Sequence, residues 1–432
     1  MLPDVRAEPL SNAGQIGDFS EFRLRSKIGS STRLPSMPNQ DILISTLDRG
    51  SVPVIHWLED GKAFEARWRS HNGTPPATRV VVAEGKMTAD EAYGLACQGS
   101  ALLWRGDFQE ARQMLSALGN RADRPQRRPR RSAATSIAGP AEAFHLYRQA
   151  RLQRARTLNA LLIPLNDDYT IPLRRAPDIQ QACAEAYGPA KTASVTSLRA
   201  LLGVIGAHEW RVKGIELPEA GGRIHPHFGV FAPIRREYVD LVSTTLLPAA
   251  CASSSVAFDI GTGTGVLAAV LARRGIECVV ATDLDPRALA CAGENVRQLG
   301  LSERIDVVQA DLFPEGRAAL VICNPPWIPA RPSSSMENGI YDPESRMLRG
   351  FLRALPDHLE PGGEGWLILS DLAEHLGLRT RAQLLEEFEA SGLRVVGRND
   401  VPPRHPRAAD KTDPLHSARA AEITSVWRLA AR

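Results

Sequence analysis

From Val256 onward, short β-branched runs alternate with stretches of helical period. Val256–Ile260, Cys278–Thr282, Ile305–Gln309, Ala319–Cys323, Trp366–Leu369, Leu393–Gly397 and Ile423–Leu429 read as strands, with amphipathic segments between most of them. That alternation predicts an α/β, doubly wound, seven-stranded sheet over residues 228–432. The front of the chain reads differently. Residues 1–50 are polar and lack a sustained period, which predicts poor order. Val52–Leu58, Ala63–Arg69 and Arg79–Ala83 predict three short strands joined by Gly, Asn and Pro turns. Two helices follow, opened by the capping pairs Thr88/Glu91 and Asp107/Glu110, with Gly106 and Gly119 placed to stop them. The pattern therefore predicts an α+β module over 51–120, an Arg/Pro-rich linker over 121–140 and a helical region over 141–227. Helices in that last region are expected at Ala141–Leu162, Ile179–Tyr187 and Ser197–Trp210.

Composition narrows the class. With 43% hydrophobic and 23% charged residues in 432, the chain reads as a soluble globular protein of two or three domains. Its six cysteines are scattered without a CxxC or CxxxC pair, against a disulfide framework or a zinc site and for a reducing cytoplasm. Met1-Leu2-Pro3-Asp4 does not open a signal pattern, and no run reaches membrane-spanning length.

Charge is unevenly placed. Arg121 to Arg175 holds twelve arginines, no lysine and four acids, a balance of +8 in a chain of net +3, leaving −5 elsewhere. Arg121, Arg124, Arg127, Arg128, Arg130 and Arg131 lie in a Pro-containing segment that cannot form a continuous helix. Such a basic element suits a nucleic-acid contact; the alternative is a solvated linker. Arg148, Arg151 and Arg154 either continue the basic strip along the next helix or pair with neighbouring acids.

The chemistry sits in two motifs. Asp259-Ile260-Gly261-Thr262-Gly263-Thr264-Gly265 follows the first strand of the sheet, and its glycines let a ligand lie directly on the backbone. Asp283, ending the next strand, is suited to accept from ribose hydroxyls, and Asp311 in Gln309-Ala310-Asp311-Leu312 to meet an adenine amine. The Gly-x-Gly-x-Gly spacing with Asp259 two residues earlier favours S-adenosylmethionine over a dinucleotide or a plain structural turn. The candidate cofactor contacts are Asp259, Gly261, Thr262, Gly263, Gly265, Asp283, Asp311, Leu312 and Asn324.

The second motif, Asn324-Pro325-Pro326-Trp327, follows another strand. A planar amine or amide nitrogen is a poor nucleophile because its lone pair is delocalised. The Asn324 side-chain oxygen and Pro325 carbonyl can accept from such an NH2 more strongly as charge develops. Pro325 and Pro326 hold the carbonyls rigid, and Trp327 offers a flat face for a base or amide plane.

Residues 228–432 resemble the class I S-adenosylmethionine-dependent methyltransferases of the NPP[YFW] group, with DIGTGTG, ATDLD, QADLF and NPPWIP in order. The group includes adenine- and guanine-amine methylases of DNA and RNA and the HemK-type glutamine methylases. NPPWIP is similar to the HemK pattern NPPYI, with Trp327 in place of tyrosine, and Val230–Glu237 resembles the HemK segment before the catalytic domain. The resemblance implies a donor held by the glycine loop and an acceptor held by Asn324–Trp327. With the arginine-rich segment and a Trp slot suited to stacking, the expected reaction is N-methylation of a base in RNA or DNA; the alternative, favoured by NPPWIP, is a glutamine of a translation or ribosomal protein. A small-molecule amine, or RNA binding without turnover, are lesser readings.

Three features stand outside these motifs. Ile328–Glu344 is a long Pro-, Ser- and Gly-rich loop whose Tyr341 and Asp342 either reach the acceptor or anchor the loop. Thr412–His416 is equally ambiguous. His225 and His227 have the spacing of a metal pair without a third ligand nearby, and no metal is expected.

Overall fold

The computed structural model describes residues 52–70, 73–124, 139–332, 337–404 and 406–432. Residues 1–50, Arg127, Arg128, Arg130, Arg131 and part of the 328–344 loop lie outside them.

In the first unit, β1 (Val54–Glu59), β2 (Lys62–Arg69) and β3 (Val80–Ala83) precede α1 (Ala89–Cys97), β4 (Ala101–Trp104) and α2 (Phe108–Ala122). Then come α3 (Pro140–Asn159), β5 (Leu161–Leu165), α4 (Gln180–Tyr187), β6 (Ser194–Ser197) and α5 (Leu198–Lys213). Both capping residues act: the Thr88 hydroxyl accepts from Glu91 N, and Asp107 accepts from the backbone of Gln109 and Glu110. The strands form a six-stranded sheet in the order β1-β2-β6-β5-β4-β3. The helices bury its core on one face, with Leu102, Trp104, Phe108, Leu118, Leu161 and Leu201 at its centre. Hence the module does not end near residue 120, and 141–227 is not purely helical. β5 and β6 complete the sheet, and the helix expected to reach Leu162 ends at Asn159. Gly119 lies inside α2, where a Cβ would stand 3.5 Å from Arg154, and Gly106 follows β4.

The second unit opens with the hairpin β7 (Ile215–Leu217) and β8 (Gly222–Ile224), then α6 (Glu237–Thr244), β9 (Val256–Ile260) and α7 (Val266–Arg273). It continues with β10 (Cys278–Asp283), α8 (Pro286–Gln298), β11 (Ile305–Gln309), β12 (Ala318–Cys323), α9 (Arg346–His358) and β13 (Leu359–Ser370). α10 (Leu372–His375), α11 (Arg381–Ala390), β14 (Leu393–Val401), α12 (Pro406–Ala409), α13 (His416–Ala421) and β15 (Thr424–Ala431) complete it. The seven-stranded order is β11-β10-β9-β12-β13-β15-β14, with β15 antiparallel to both neighbours. One core packs α6 and α7 against one face, and another packs α9 and α11 against the other, which is a doubly wound sheet. The strand order reverses between the parallel neighbours β9 and β12, and ligands of such sheets bind beyond the strand ends at that crevice. β7 and β8 belong to this core through Ile215, Leu217 and Ile224, so the second unit begins before residue 228.

The units meet beside that crevice. Phe144 and Tyr147 of α3 pack with Ile328, Ile340, Tyr341, Leu372 and Leu415. Arg148 donates to the Arg331 carbonyl at 2.6 Å, and its guanidinium lies 4.2 Å from the Tyr341 ring centre. Arg151 reaches Tyr147 Oη, and Arg154 forks onto Asp123. Arg151 thus meets a hydroxyl, whereas the expected pairing with neighbouring acids holds for Arg154 and, at 3.7 Å from Glu337, for Arg148. Arg121 likewise pairs with Asp90.

Candidate functional site

The glycine loop needs a backbone that other residues resist. Gly261, Gly263 and Gly265 have φ of +72°, +56° and +79°, the left-handed region that side chains disfavour. Asp259 holds the loop from below. One of its carboxylate oxygens accepts from the Thr262 hydroxyl at 2.6 Å and Ala268 N at 3.1 Å. The other, Oδ1, is buried and finds no donor among the described residues. From the side, Asp283 accepts from Gly263 N at 3.0 Å and Asp285 N at 2.9 Å. Burial raises the Asp283 carboxyl above its ordinary pKa.

Asp259 has a consequence for stability. Burial pushes its carboxyl up to about 6. A folded-state pKa above the unfolded value near 3.9 means the folded protein holds the proton more tightly. The stabilisation is complete below that unfolded value and is lost as pH rises through about 6. Asparagine can still accept from Thr262 and Ala268 but cannot ionise. We expect Asp259→Asn to gain stability relative to wild type between pH 4 and 7, by up to about 3 kcal/mol. Urea titrations across that range test this, and parallel profiles for the two proteins would refute it.

A cavity of about 320 Å³ opens above the loop. Gly261, Thr262, Gly263, Asp283, Asn324, Pro325, Pro326 and Trp327 line it, so both motifs face one space. A Cβ at Gly263 would meet no protein atom within 4 Å, whereas one at Gly265 would stand 3.3 Å from Ala292. Gly263 therefore leaves room for a ligand, and Gly265 lets the loop pack on α8. Four sequence candidates do not line the cavity. Asp259 lies beneath the loop, and Gly265 caps α7 in left-handed conformation. Asp311 is exposed to solvent. Leu312 has φ +74° and accepts the Thr282 hydroxyl through its carbonyl.

At the acceptor slot, the Trp327 indole N–H donates to Asn324 Oδ1 at 2.9 Å. The contact fixes that oxygen's orientation and leaves its second lone pair available. The Arg235 guanidinium lies 5.1 Å from the Trp327 ring centre, and donates to buried Glu422 at 3.0 Å. One face of the indole is therefore already covered. The slot is walled by Asn338, Gly339 and Ile340 from the following loop, with Met347 against Gly261. Ile328 exchanges backbone hydrogen bonds with Ile340 and Asp342, closing the loop at its base. Asp342 accepts from Met347 N and Leu348 N at the start of α9, and Tyr341 sits under Arg148. Both anchor the loop.

Arg235, Tyr238, Asp285, Met347, Arg407 and Arg419 also line the cavity and were not singled out by sequence. Asp285 could have been: it ends the ATDLD segment two residues after Asp283. Of the remaining features, Asp413 pairs with Arg419 at 2.9 Å. His225 donates from Nδ1 to the Arg211 carbonyl, and His227 meets Glu294 at 2.7 Å. Among the described residues no helix is long and apolar enough to cross a membrane.

Residues 221–392 match the family described as methyltransferase small domain. A release factor glutamine methyltransferase of Cereibacter sphaeroides is 38% identical over 120 residues, 24% of this chain and 43% of that protein. A second, from Moorella thermoacetica, is 41% identical over 160 residues, 32% of this chain and 56% of that protein. A tRNA1(Val) (adenine(37)-N6)-methyltransferase of Shewanella loihica is 28% identical over 158 residues, 34% of this chain and 65% of that protein. The aligned stretches thus cover less than two thirds of these relatives.

Proposed function

We propose, from the methyltransferase small domain of the class I group formed by residues 221–392, that this protein transfers a methyl group from S-adenosylmethionine to a planar nitrogen. The observation that carries the reading is one cavity lined by both the glycine loop and the Asn-Pro-Pro-Trp slot.

The residues suit the donor. Gly261 and Gly263 present bare backbone, and Asp283 offers carboxylate oxygens to sugar hydroxyls. Asp259 steadies the loop, with a buried oxygen lacking a protein donor. Bound there, the donor supplies a methyl group on a sulfonium centre, which leaves as a neutral thioether. The protein's own work is on the acceptor. Asn324 Oδ1 and the Pro325 carbonyl accept the two N–H bonds of the amine and draw the nitrogen out of conjugation. Its lone pair then forms the N–C bond as the S–C bond breaks, and the product cation releases a proton to solvent. Because these acceptors bind the charged form more strongly, they favour the transition state over the ground state. In-line placement supplies much of the remainder.

The acceptor we favour is an exocyclic amine of an RNA or DNA base, which could stack on the part of Trp327 that lines the cavity. The second reading is a protein glutamine, supported by NPPWIP and by the similarity to glutamine methyltransferases. Labelled donor incubated with the protein and a cell extract, then fractionated into RNA, DNA, protein and small molecules, separates these. Transfer to none of the fractions would refute the proposal.

Trp327 has two separable duties. Trp327→Ala should raise KM by the worth of one stacked plane, about 1–3 kcal/mol. Trp327→Phe keeps a ring but frees the Asn324 amide, so kcat should fall about tenfold, the worth of one hydrogen bond, with KM little changed. Steady-state kinetics decides, and an unaltered kcat in Trp327→Phe would remove the orienting role.

A further inference from the structure

We propose that Arg235, Arg407 and Arg419 form a phosphate subsite on the acceptor side of the cavity, which receives a phosphate attached to the nucleoside being methylated. The inference rests on the methyl-transfer reading of the same cavity and adds what the acceptor must carry. Charge along the cavity is partitioned. Its lining acids are Asp283 and Asp285, both beside the glycine loop. The three arginines come from other elements: Arg235 over Trp327, Arg407 on α12 and Arg419 on α13.

Two of these guanidinium groups lie against carboxylates, Arg235 through a hydrogen bond and Arg419 through an ion pair whose Nε–H makes no hydrogen bond to a described residue. Arg235 donates to Glu422 Oε1 at 3.0 Å, an oxygen that also accepts from Ser370 Oγ at 2.6 Å, and Glu422 is fully buried. Arg419 Nε lies 2.9 Å from Asp413 Oδ2, with both side chains largely buried. A guanidinium has five donors, so one carboxylate contact leaves others to engage a second anion. Arg407 lines the cavity without an ion pair to a described residue.

Topology points the same way. β14 and β15 are antiparallel neighbours, a connection that a two-residue turn can make. Here the chain leaves the sheet after Val401, forms α12 and α13, and returns at Thr424. Leu415 and Ala418 of this excursion pack on Leu372 and Ile328, which sets it against the loop that follows the slot. What it adds to the cavity is Arg407 and Arg419. A neutral glutamine side chain would add no counter-charge for Arg407. A phosphate presents oxygens in the geometry that guanidinium donors match.

The test uses the full chain and anisotropy of a fluorescent single-stranded RNA oligomer of mixed sequence, with adenosine 5′-monophosphate and adenosine as competitors. Calorimetry with S-adenosylhomocysteine runs in parallel. Arg407→Glu should weaken the oligomer at least tenfold and lower the slope of log K against log salt by about 0.7, the share of one phosphate on a single strand. Arg407→Lys should keep most of the affinity, and the monophosphate should compete better than adenosine. A monophosphate that binds as tightly as the oligomer identifies a free nucleotide as the phosphate's source; a much weaker one identifies a strand. Oligomer binding unchanged in Arg407→Glu overturns the subsite. So does a matching loss of S-adenosylhomocysteine, which would assign these arginines to the donor's carboxylate. Failure of the wild type to bind S-adenosylhomocysteine would instead refute the methyl-transfer reading.

Discussion

Asn324→Ala should lower turnover by about 10²-fold or more while leaving S-adenosylmethionine affinity nearly unchanged. The size follows from what the side chain meets. Its oxygen is fixed by the Trp327 indole and faces the cavity shared with the glycine loop. An acceptor aimed at developing charge acts mainly in the transition state, so its loss should appear in kcat rather than KM. Asn324 directly follows β12 and is half-buried, and alanine there also removes the acceptor of the Trp327 indole, so circular dichroism accompanies the kinetics. Single-turnover rates with saturating donor give the cleanest reading. Normal turnover in Asn324→Ala would mean that the slot does not hold the reacting nitrogen.

The second large effect concerns the donor. Asp283→Ala removes a carboxylate that already organises Gly263 N and Asp285 N, and with it both oxygens offered to sugar hydroxyls. Hydrogen bonds to a charged group are worth about 1.5–3 kcal/mol each, so affinity for S-adenosylmethionine should fall at least about 10²-fold. Gly263→Val should do the same by another route. At φ +56° a β-branched residue is strained, and its side chain would project into space that no protein atom occupies. Calorimetry with the donor and S-adenosylhomocysteine measures both variants, with circular dichroism to confirm folding. Retained donor affinity in both, or tight NAD binding by the wild type, would point to a different cofactor.

The catalytic sheet was legible because its strands are β-branched runs bounded by helical periods. Its poorest prediction, Trp366–Leu369, became the twelve-residue β13. Pro361-Gly362-Gly363 reads as a turn, yet Gly363 lies in the strand, where a Cβ would stand about 3 Å from carbonyl oxygens of β12. Close strand approach and a turn call for the same residue type. The first unit was harder. β4 and β5 are short, wholly buried apolar runs without alternation, which periodicity cannot separate from buried helix. β6 is Ser-Val-Thr-Ser, buried by its neighbours rather than marked by its own pattern.

The site divides in the same way. Gly261, Gly263, Asp283 and Asn324–Trp327 were readable because local backbone geometry and strand ends place them. Arg235, Arg407 and Arg419 come from distant parts of the chain, and only the fold brings them to one cavity. Asp311 and Leu312 show the converse, since a motif position after a strand did not put them on the cavity lining.

Methyl transfer to a planar nitrogen at Asn324 is decided by chemical identification of the product. Wild type and Asn324→Ala would each be incubated with methyl-labelled S-adenosylmethionine and the acceptor fraction. The products would then be digested to nucleosides or amino acids and resolved by mass spectrometry. Label is expected on an exocyclic base nitrogen or an amide nitrogen, and at least about 10²-fold less of it with Asn324→Ala. Label on oxygen, carbon or sulfur, or equal labelling by the two proteins, would contradict it.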